Sequence, residues 1–453
     1  MADADASPPK SSTQTRTRIY SVTLVVVTVA VVTIAIVLPV LLNSMVLPPP
    51  TPTSGANVQV DTYAAGSSWA HQFGDDPTVA VAPNGTIAVA WEGLDELAPP
   101  AAPGGLPTFE TMVFVSYSYD DGQRYSIPQP VGSPGTSSAF QPALAFASNG
   151  TLFLAYANST NSVNQEILVM AAPAGQGFGP GVAAQRGEYL SSPWLFVLAS
   201  GTLVLAFDYN NFAEWTDSTN GGTTFPSATI ASEGLLTGAT VWDGDLLTMV
   251  GLGLGALTYT TAFTWSVTIN VTSASSPDVG APGILTMPYP ASEVVTNLSR
   301  PGPSVASAGG ILYLIDSNKS ESELSLQTSS TNGSTWSGLK TLWSENDTTV
   351  ETPVVQSVAG SPLLILSWES TQGGHWGTYA ALYNVHTRLL SSPTEASSVA
   401  GFPASVRNWH GTEMGLAIAS ATQFVVVWGD GRGLDGTYGL TQVYACTLLA
   451  ALT

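Results

Sequence analysis

The chain has 453 residues, 44% of them hydrophobic and only 9% charged, so it can bury a large core. Its 32 Asp and Glu against 11 Lys and Arg leave a net charge of −21. Such a surface repels phosphate, which excludes nucleic-acid binding and favours divalent cations or neutral, hydrogen-bonding ligands. The single cysteine, Cys446, allows neither a disulfide framework nor a thiolate metal centre and reads as a core residue.

The first predicted element is an uncharged apolar run, YSVTLVVVTVAVVTIAIVLPVLL, residues 20–42. At about 1.5 Å per helical residue it is long enough to cross a bilayer core. Lys10, Arg16 and Arg18 precede it, and no Lys or Arg follows for about 80 residues. The positive-inside rule then makes residues 1–19 a cytoplasmic tail and puts the rest outside the cell. A cleaved signal peptide is the alternative, but this run is longer than a signal core and ends in NSMVLPPP. Residues 43–56, with their PPPTPTSGA stretch, read as a Pro-rich spacer, and residues 57–453 as an extracellular domain.

That domain shows no helical periodicity. Apolar alternations recur instead, each broken by a tight turn: PTVAVAPNGTIAVAWE from Pro77, PALAFASNGTLFLAYA from Pro142 and PWLFVLASGTLVLAFD from Pro193. Further copies start at Pro303 and Pro353, with weaker ones at Gly238 and Met414. Asn-Gly and Ser-Gly supply the positive φ that two-residue hairpins need. Counting from Gly85, Gly150, Gly201, Gly244, Gly309, Gly360 and Thr422, the period averages about 56 residues, which points to a β-propeller of four-stranded blades. Seven blades are counted. Six remain an alternative if the divergent fourth repeat is not a blade. The last repeat lacks an outer strand before the C-terminus, and NVQVDTY, residues 57–63, is the segment expected to supply it and close the ring.

Three repeats continue into a related phrase: SYDDGQRY (118–125), DSTNGGTTF (217–225) and SSTNGSTW (329–336). A short Asx side chain folding onto turn amides, a glycine at positive φ and an aromatic packing between blades explain it as a structural lock. The phrase resembles the Asp-box, or BNR, repeat of the sialidase-like β-propellers. Asp120 with Gly122, Asn220 with Gly221 and Phe225, and Asn332 with Gly333 and Trp336 are placed in that pattern, Asn standing for Asp in two of the three.

The resemblance puts these turns on one face and a ligand site on the other, near the axis. Stepping from the turn glycines to the end of each second strand gives Glu92, Asp208, Asp316 and Glu369, with Asp430 and Arg432 in the WGDGR phrase of the last repeat. These six residues form the candidate mouth, with Trp91, Trp368 and Trp428 nearby. Carboxylates at strand ends also serve simply to bond loop amides. The preceding loops add Asp75, Asp76, Arg300, Glu351, Arg407 and His410.

The sialidase resemblance implies an arginine triad, an acid/base Asp and a Tyr nucleophile paired with Glu. The sequence departs from this. No Phe/Tyr-Arg-Ile-Pro phrase exists, and WAHQFGDDP offers Asp75 and Asp76 where an arginine is wanted. Beyond the spacer the only arginines are Arg124, Arg186, Arg300, Arg388, Arg407 and Arg432. No catalytic residue is assigned and no cofactor is expected, although the acidic surface would accept a divalent cation such as calcium. The four histidines show no metal-ligand spacing, and the eight Asn-x-Ser/Thr sites would suit a glycosylated exterior domain. The sequence therefore points to a membrane-anchored, non-catalytic binding module. Its partners are the bilayer and a glycan, peptide or surface protein; a sialidase-like glycoside hydrolase or lyase is the alternative.

Overall fold

The computed structural model describes residues 48–62, 69–98, 108–132, 138–161, 164–254, 262–272, 303–317, 322–345, 348–372, 375–397, 414–430 and 442–450. The apolar run 20–42 lies outside them. Among the described residues no helix is long and apolar enough to cross a membrane.

The described chain is all β and forms seven antiparallel sheets, the blades of a propeller. From the inner strand outward, blade one is Trp69–Val81, Ile87–Ala98, Thr108–Ser118 and Gln129–Val131. Blade two is Ser138–Phe146, Leu152–Asn161, Asn164–Ala172 and Val182–Gly187. Blade three is Leu190–Val197, Leu203–Tyr209, Phe212–Ser218 and Thr229–Glu233. Blade four shows three strands, Leu235–Trp242, Leu246–Leu254 and Ala262–Asn270. Blade five is Ser304–Ala308, Ile311–Ser317, Glu323–Ser329 and Lys340–Ser344. Blade six is Val350–Ser357, Leu363–Ser370 and Gly377–Asn384, edged by Leu389–Leu390 and Thr394–Glu395. Blade seven is Met414–Ser420, Gln423–Asp430 and Gln442–Leu449, completed by Thr53–Gln59 from the other end of the chain.

That closure differs from the expected segment. The strand begins at Thr53, pairing Thr53 with Leu449 and Gln59 with Tyr444, so residues 53–56 belong to the propeller rather than to the spacer. Proline ends at Pro52, and from Thr53 onward every residue can donate its amide to the ladder. Cys446 is buried in this seam, its Sγ 3.3 Å from Ser54 Oγ.

Burial follows from the middle strands having a neighbour on both faces, which makes them near-continuous apolar runs; every residue of Leu363–Ser370 is buried. Seven apolar clusters fill the seven seams. One joins blades one and two through Ala88, Val113, Leu144 and Leu154; another joins blades six and seven through Ile365, Leu382, Phe424 and Leu448. The fourth repeat is a true blade. Leu247, Met249 and Trp265 pack on blade three, and Val250 packs on Val305 and Leu314 of blade five. Gly251 is required there, because a Cβ would lie 2.4 Å from the Trp265 ring.

The three lock turns share one bonding scheme at the ends of the third strands. Ser118, Ser218 and Ser329 each accept the amide of Gly122, Gly222 or Gly333, at 2.9, 3.0 and 3.0 Å. Asp120 and Asn220 accept the amides of Arg124 and Thr224. In the third turn it is Thr331, not Asn332, that holds this place, accepting the amide of Thr335 at 3.0 Å. Asn332 instead takes the left-handed position (φ 50°) filled by Asp121 and Gly221, so the glycine equivalent to Gly122 is Gly222. Each turn therefore reads Ser-x-Asp/Asn/Thr-x-Gly, as the sequence alignment has it for Asp120 and Gly122, with the glycine of the second turn and the Asx place of the third each one residue away from that alignment.

Candidate functional site

The turns within the hairpins and the lock turns share one face, and the loops between second and third strands share the opposite, loop face. The inner strands enter from the loop face with a bulge in register at Asp75/Thr78, Phe140/Ala143, Ser191/Trp194 and Glu351/Val354. At each bulge a non-glycine residue has positive φ: Asp76, Gln141, Ser192 and Thr352. A bulge leaves backbone amides without a ladder partner. The preceding blade bonds inner-strand amides at or beside the bulges: Gln141 Oε1 accepts that of Ser192 at 2.8 Å, Asp208 Oδ1 that of Leu236, beside the Leu236/Gly238 bulge of blade four, at 2.7 Å, and Ser304 Oγ that of Val355, just past the blade-six bulge, at 3.1 Å.

Of the candidate mouth residues, Asp208 takes part in these bonds. Glu92, Asp208 and Glu369 hold equivalent places, each directly after a buried aromatic: Trp91 opposite Phe114, Phe207 opposite Glu214, and Trp368 opposite Tyr379. Each alternates with residues packed on the following blade: Ala88 and Ala90 on blade two, Val204 and Ala206 on blade four, Leu363 and Ile365 on blade seven. Their side chains therefore enter three separate seams.

Asp208 is 3% exposed, and burial pushes its pKa up to about 8, while bonds from the Leu236 amide and Ser192 oppose the rise. Glu369 is buried too, and Glu92 is half-buried. Asp316 is not equivalent to them. Leu312 pairs with Ser329 as Ile87 does with Ser118, so Asp316 occupies the place of Trp91, and Ser317 that of Glu92. Asp316 is 1% exposed and alternates with Leu312 and Leu314, which pack toward blade four, the opposite side. A one-residue slip reverses the face of a strand residue.

The three tryptophans are core residues rather than a ligand platform. Trp91, Trp368 and Trp428 are 0, 0 and 2% exposed and stack on Phe114, Tyr379 and Tyr444 of the adjoining strands. Asp430 ends its strand opposite Gln442. Arg432, Arg300, Arg407 and His410 lie outside the described residues. Of the described arginines, Arg124 and Arg388 sit in turns on the lock-turn face, and Arg186 is on the loop face. Among the described residues no group of three or more His, Cys, Asp or Glu is arranged to hold a metal ion.

A second feature, which the sequence did not single out, opens on the loop face between blades two and three. It is a cleft of about 530 Å³ lined by Asn164, Gln165, Glu166, Arg186, Glu188 and Tyr209, with Gly187 and Asn210. Three loops converge to make it. Tyr209 and Asn210 come from a two-residue hairpin whose Asn210 and Asn211 have φ of 52° and 66°, the mirror-image turn that Asn favours. Glu166 is fixed by Arg186 Nε at 3.1 Å and by the amide of buried Asn158 at 3.2 Å. Gln165 Oε1 accepts the Leu190 amide at 2.6 Å, tying the two blades together. Tyr209 packs on Gly187, where a Cβ would lie 2.4 Å from the ring. The walls are thus held before any ligand arrives. The signal in the sequence was the polar Tyr-Asn-Asn step between two apolar strands.

With this geometry the fold can be set beside known proteins. No family model matches the sequence, and no curated protein matches it. Among solved structures, a protein of unknown function from Dyadobacter fermentans matches with TM-score 0.50 and 11% identity, over 88% of this chain and 100% of that one. The NanB sialidase of Streptococcus pneumoniae gives TM-score 0.47 and 12% identity over 87% and 71% of the two chains. The GH93 α-L-arabinofuranosidase of Fusarium graminearum gives 0.45 and 12% over 74% and 98%. At these identities the likeness is one of fold alone and assigns no activity to this chain.

Proposed function

We propose that this chain is a membrane-anchored, outward-facing propeller that binds a glycan, peptide or surface protein without catalysis. One observation carries the reading: the carboxylates a hydrolase would need at the mouth enter separate seams between blades, and Asp208 is engaged with the Leu236 amide. A glycosidase needs two carboxyls facing one scissile bond across about 5–10 Å. Side chains that enter three different seams do not converge on one bond, and Asp208 bonds the neighbouring blade instead.

The anchor rests on the apolar run 20–42 and its one-sided basic flank. The closing strand starts at Thr53 beside Leu449, on the lock-turn face. The chain therefore enters the propeller's closing strand on that face.

Two assays test this. Alkaline carbonate should leave the full chain in the membrane pellet and detergent should release it; release by carbonate alone removes the anchor. The detergent-solubilised chain, incubated with a glycan panel and with cell-surface extracts, should retain partners and yield no smaller products by mass spectrometry. New products would make it an enzyme.

A further inference from the structure

We infer that the cleft between blades two and three is a binding site for neutral oligosaccharides, separate from the propeller axis. The inference rests on the binding-module reading and names its site and ligand class. The observation behind it is a preformed cleft of about 530 Å³ whose lining is almost wholly planar polar groups around one aromatic ring. That volume falls within the range of small-molecule sites, about 300–1,000 Å³.

The lining chemistry selects the ligand. Carboxamides, carboxylates and guanidinium groups are flat and present paired donors or acceptors, which match adjacent hydroxyls of a sugar ring two at a time. Gln165 spends its oxygen on the Leu190 amide and keeps its NH₂ as a donor. Arg186 spends Nε on Glu166, yet its side chain is 77% exposed, which leaves the terminal nitrogens open to a ligand. Asn210 is presented at the tip of its turn, and the Tyr209 ring offers an apolar face for sugar C–H groups. A peptide would need apolar side pockets, and among the described lining residues Tyr209 is the one aromatic.

Charge decides against acidic sugars. The lining carries two carboxylates, Glu166 and Glu188, against Arg186, within a chain of net charge −21. Glu166 offsets the charge of Arg186 and Glu188 adds a further negative charge, so the described lining is net negative and disfavours an incoming carboxylate or sulfate.

The test uses the full chain in detergent. Binding of cellotriose, xylotriose, arabinotriose and lacto-N-tetraose, with 3′-sialyllactose as the acidic probe, is measured by calorimetry and mass spectrometry. At least one neutral probe should bind, at least tenfold more weakly in Arg186→Met and in Asn210→Gly, which keeps the positive φ of the turn, with melting temperatures unchanged. Glu92→Gln and Glu369→Gln should bind as the parent does. Binding that survives both cleft substitutions, or is lost in Glu92→Gln or Glu369→Gln instead, overturns the cleft and leaves a non-catalytic module reading from the axis. Preference for 3′-sialyllactose overturns the ligand class, and retention of no probe overturns the inference while protein partners from cell-surface extracts still test the module. Cleavage of a probe overturns the module reading itself.

Discussion

The ring of strand ends near the axis and the cleft between blades two and three use similar residues to opposite ends. Near the axis, Asp208 is 3% exposed and bonds the Leu236 amide that a bulge has released. In the cleft, Glu166 bonds Arg186 with 24% of its side chain exposed and Arg186 at 77%. In both places a carboxylate has a partner, and solvent separates the two cases. A polar group sealed in a seam holds the fold together, whereas one held at the edge of a cleft is oriented and still open to a ligand.

The comparison predicts how substitutions should divide. The largest effect should come from the seams: Trp265→Ala empties the space over Gly251 and should cost about 3–5 kcal/mol in urea unfolding, with ligand retention of the surviving folded fraction unchanged. Next, Asp208→Ala should leave the Leu236 amide buried without its acceptor and cost about 1–3 kcal/mol, whereas Asp208→Asn, which keeps an acceptor oxygen, should cost far less.

The third effect is one of pH. Asp208 titrates at about 8 in the fold against 3.8 in the unfolded chain, and burial likewise raises Asp61 to about 7. The folded state then holds more protons than the unfolded state between roughly pH 4 and 8, so stability falls as pH rises through that window. Melting temperature should decline from pH 5 to pH 8, and Asp208→Asn should flatten the decline; an unchanged slope would show that Asp208 titrates normally. Smaller still, Ser118→Ala should cost about 1 kcal/mol by freeing the Gly122 amide, and Ser329→Ala a similar amount. Smallest in stability, Asn210→Gly should stay within about 0.5 kcal/mol of the parent, because the residue is exposed and glycine accepts its positive φ.

Much of the fold was legible because hairpin turns demand particular residues. Gly85, Gly150 and Gly201 have positive φ, as the Asn-Gly and Ser-Gly steps required, and so do Gly244 and Gly360 after Asp243 and Ala359. The errors were errors of phase. The fifth repeat turns through Gly309 and Gly310, both at positive φ; counting from the first displaced Asp316 by one and reversed its face. In the third lock turn, Thr331 rather than Asn332 holds the Asx place, and a hydroxyl in that role has no strong sequence signature. The closing strand was placed four residues late because its bounds are set by pairing with residues 444–449, far away in the chain. The cleft was missed because three separate loops build it, each of which reads alone as an ordinary polar connection.

The most direct measurement is a mass-spectrometric comparison of the full chain with the triple variant Glu92→Gln, Asp208→Asn, Glu369→Gln. Both are incubated with one mixed panel of neutral and sialylated glycans and scored for retention and for products. If the strand-end carboxylates serve the seams and binding lies elsewhere on the loop face, the two proteins retain the same glycans and neither releases a fragment. Fragments from the parent that vanish in the variant would contradict the account and make those carboxylates a catalytic site.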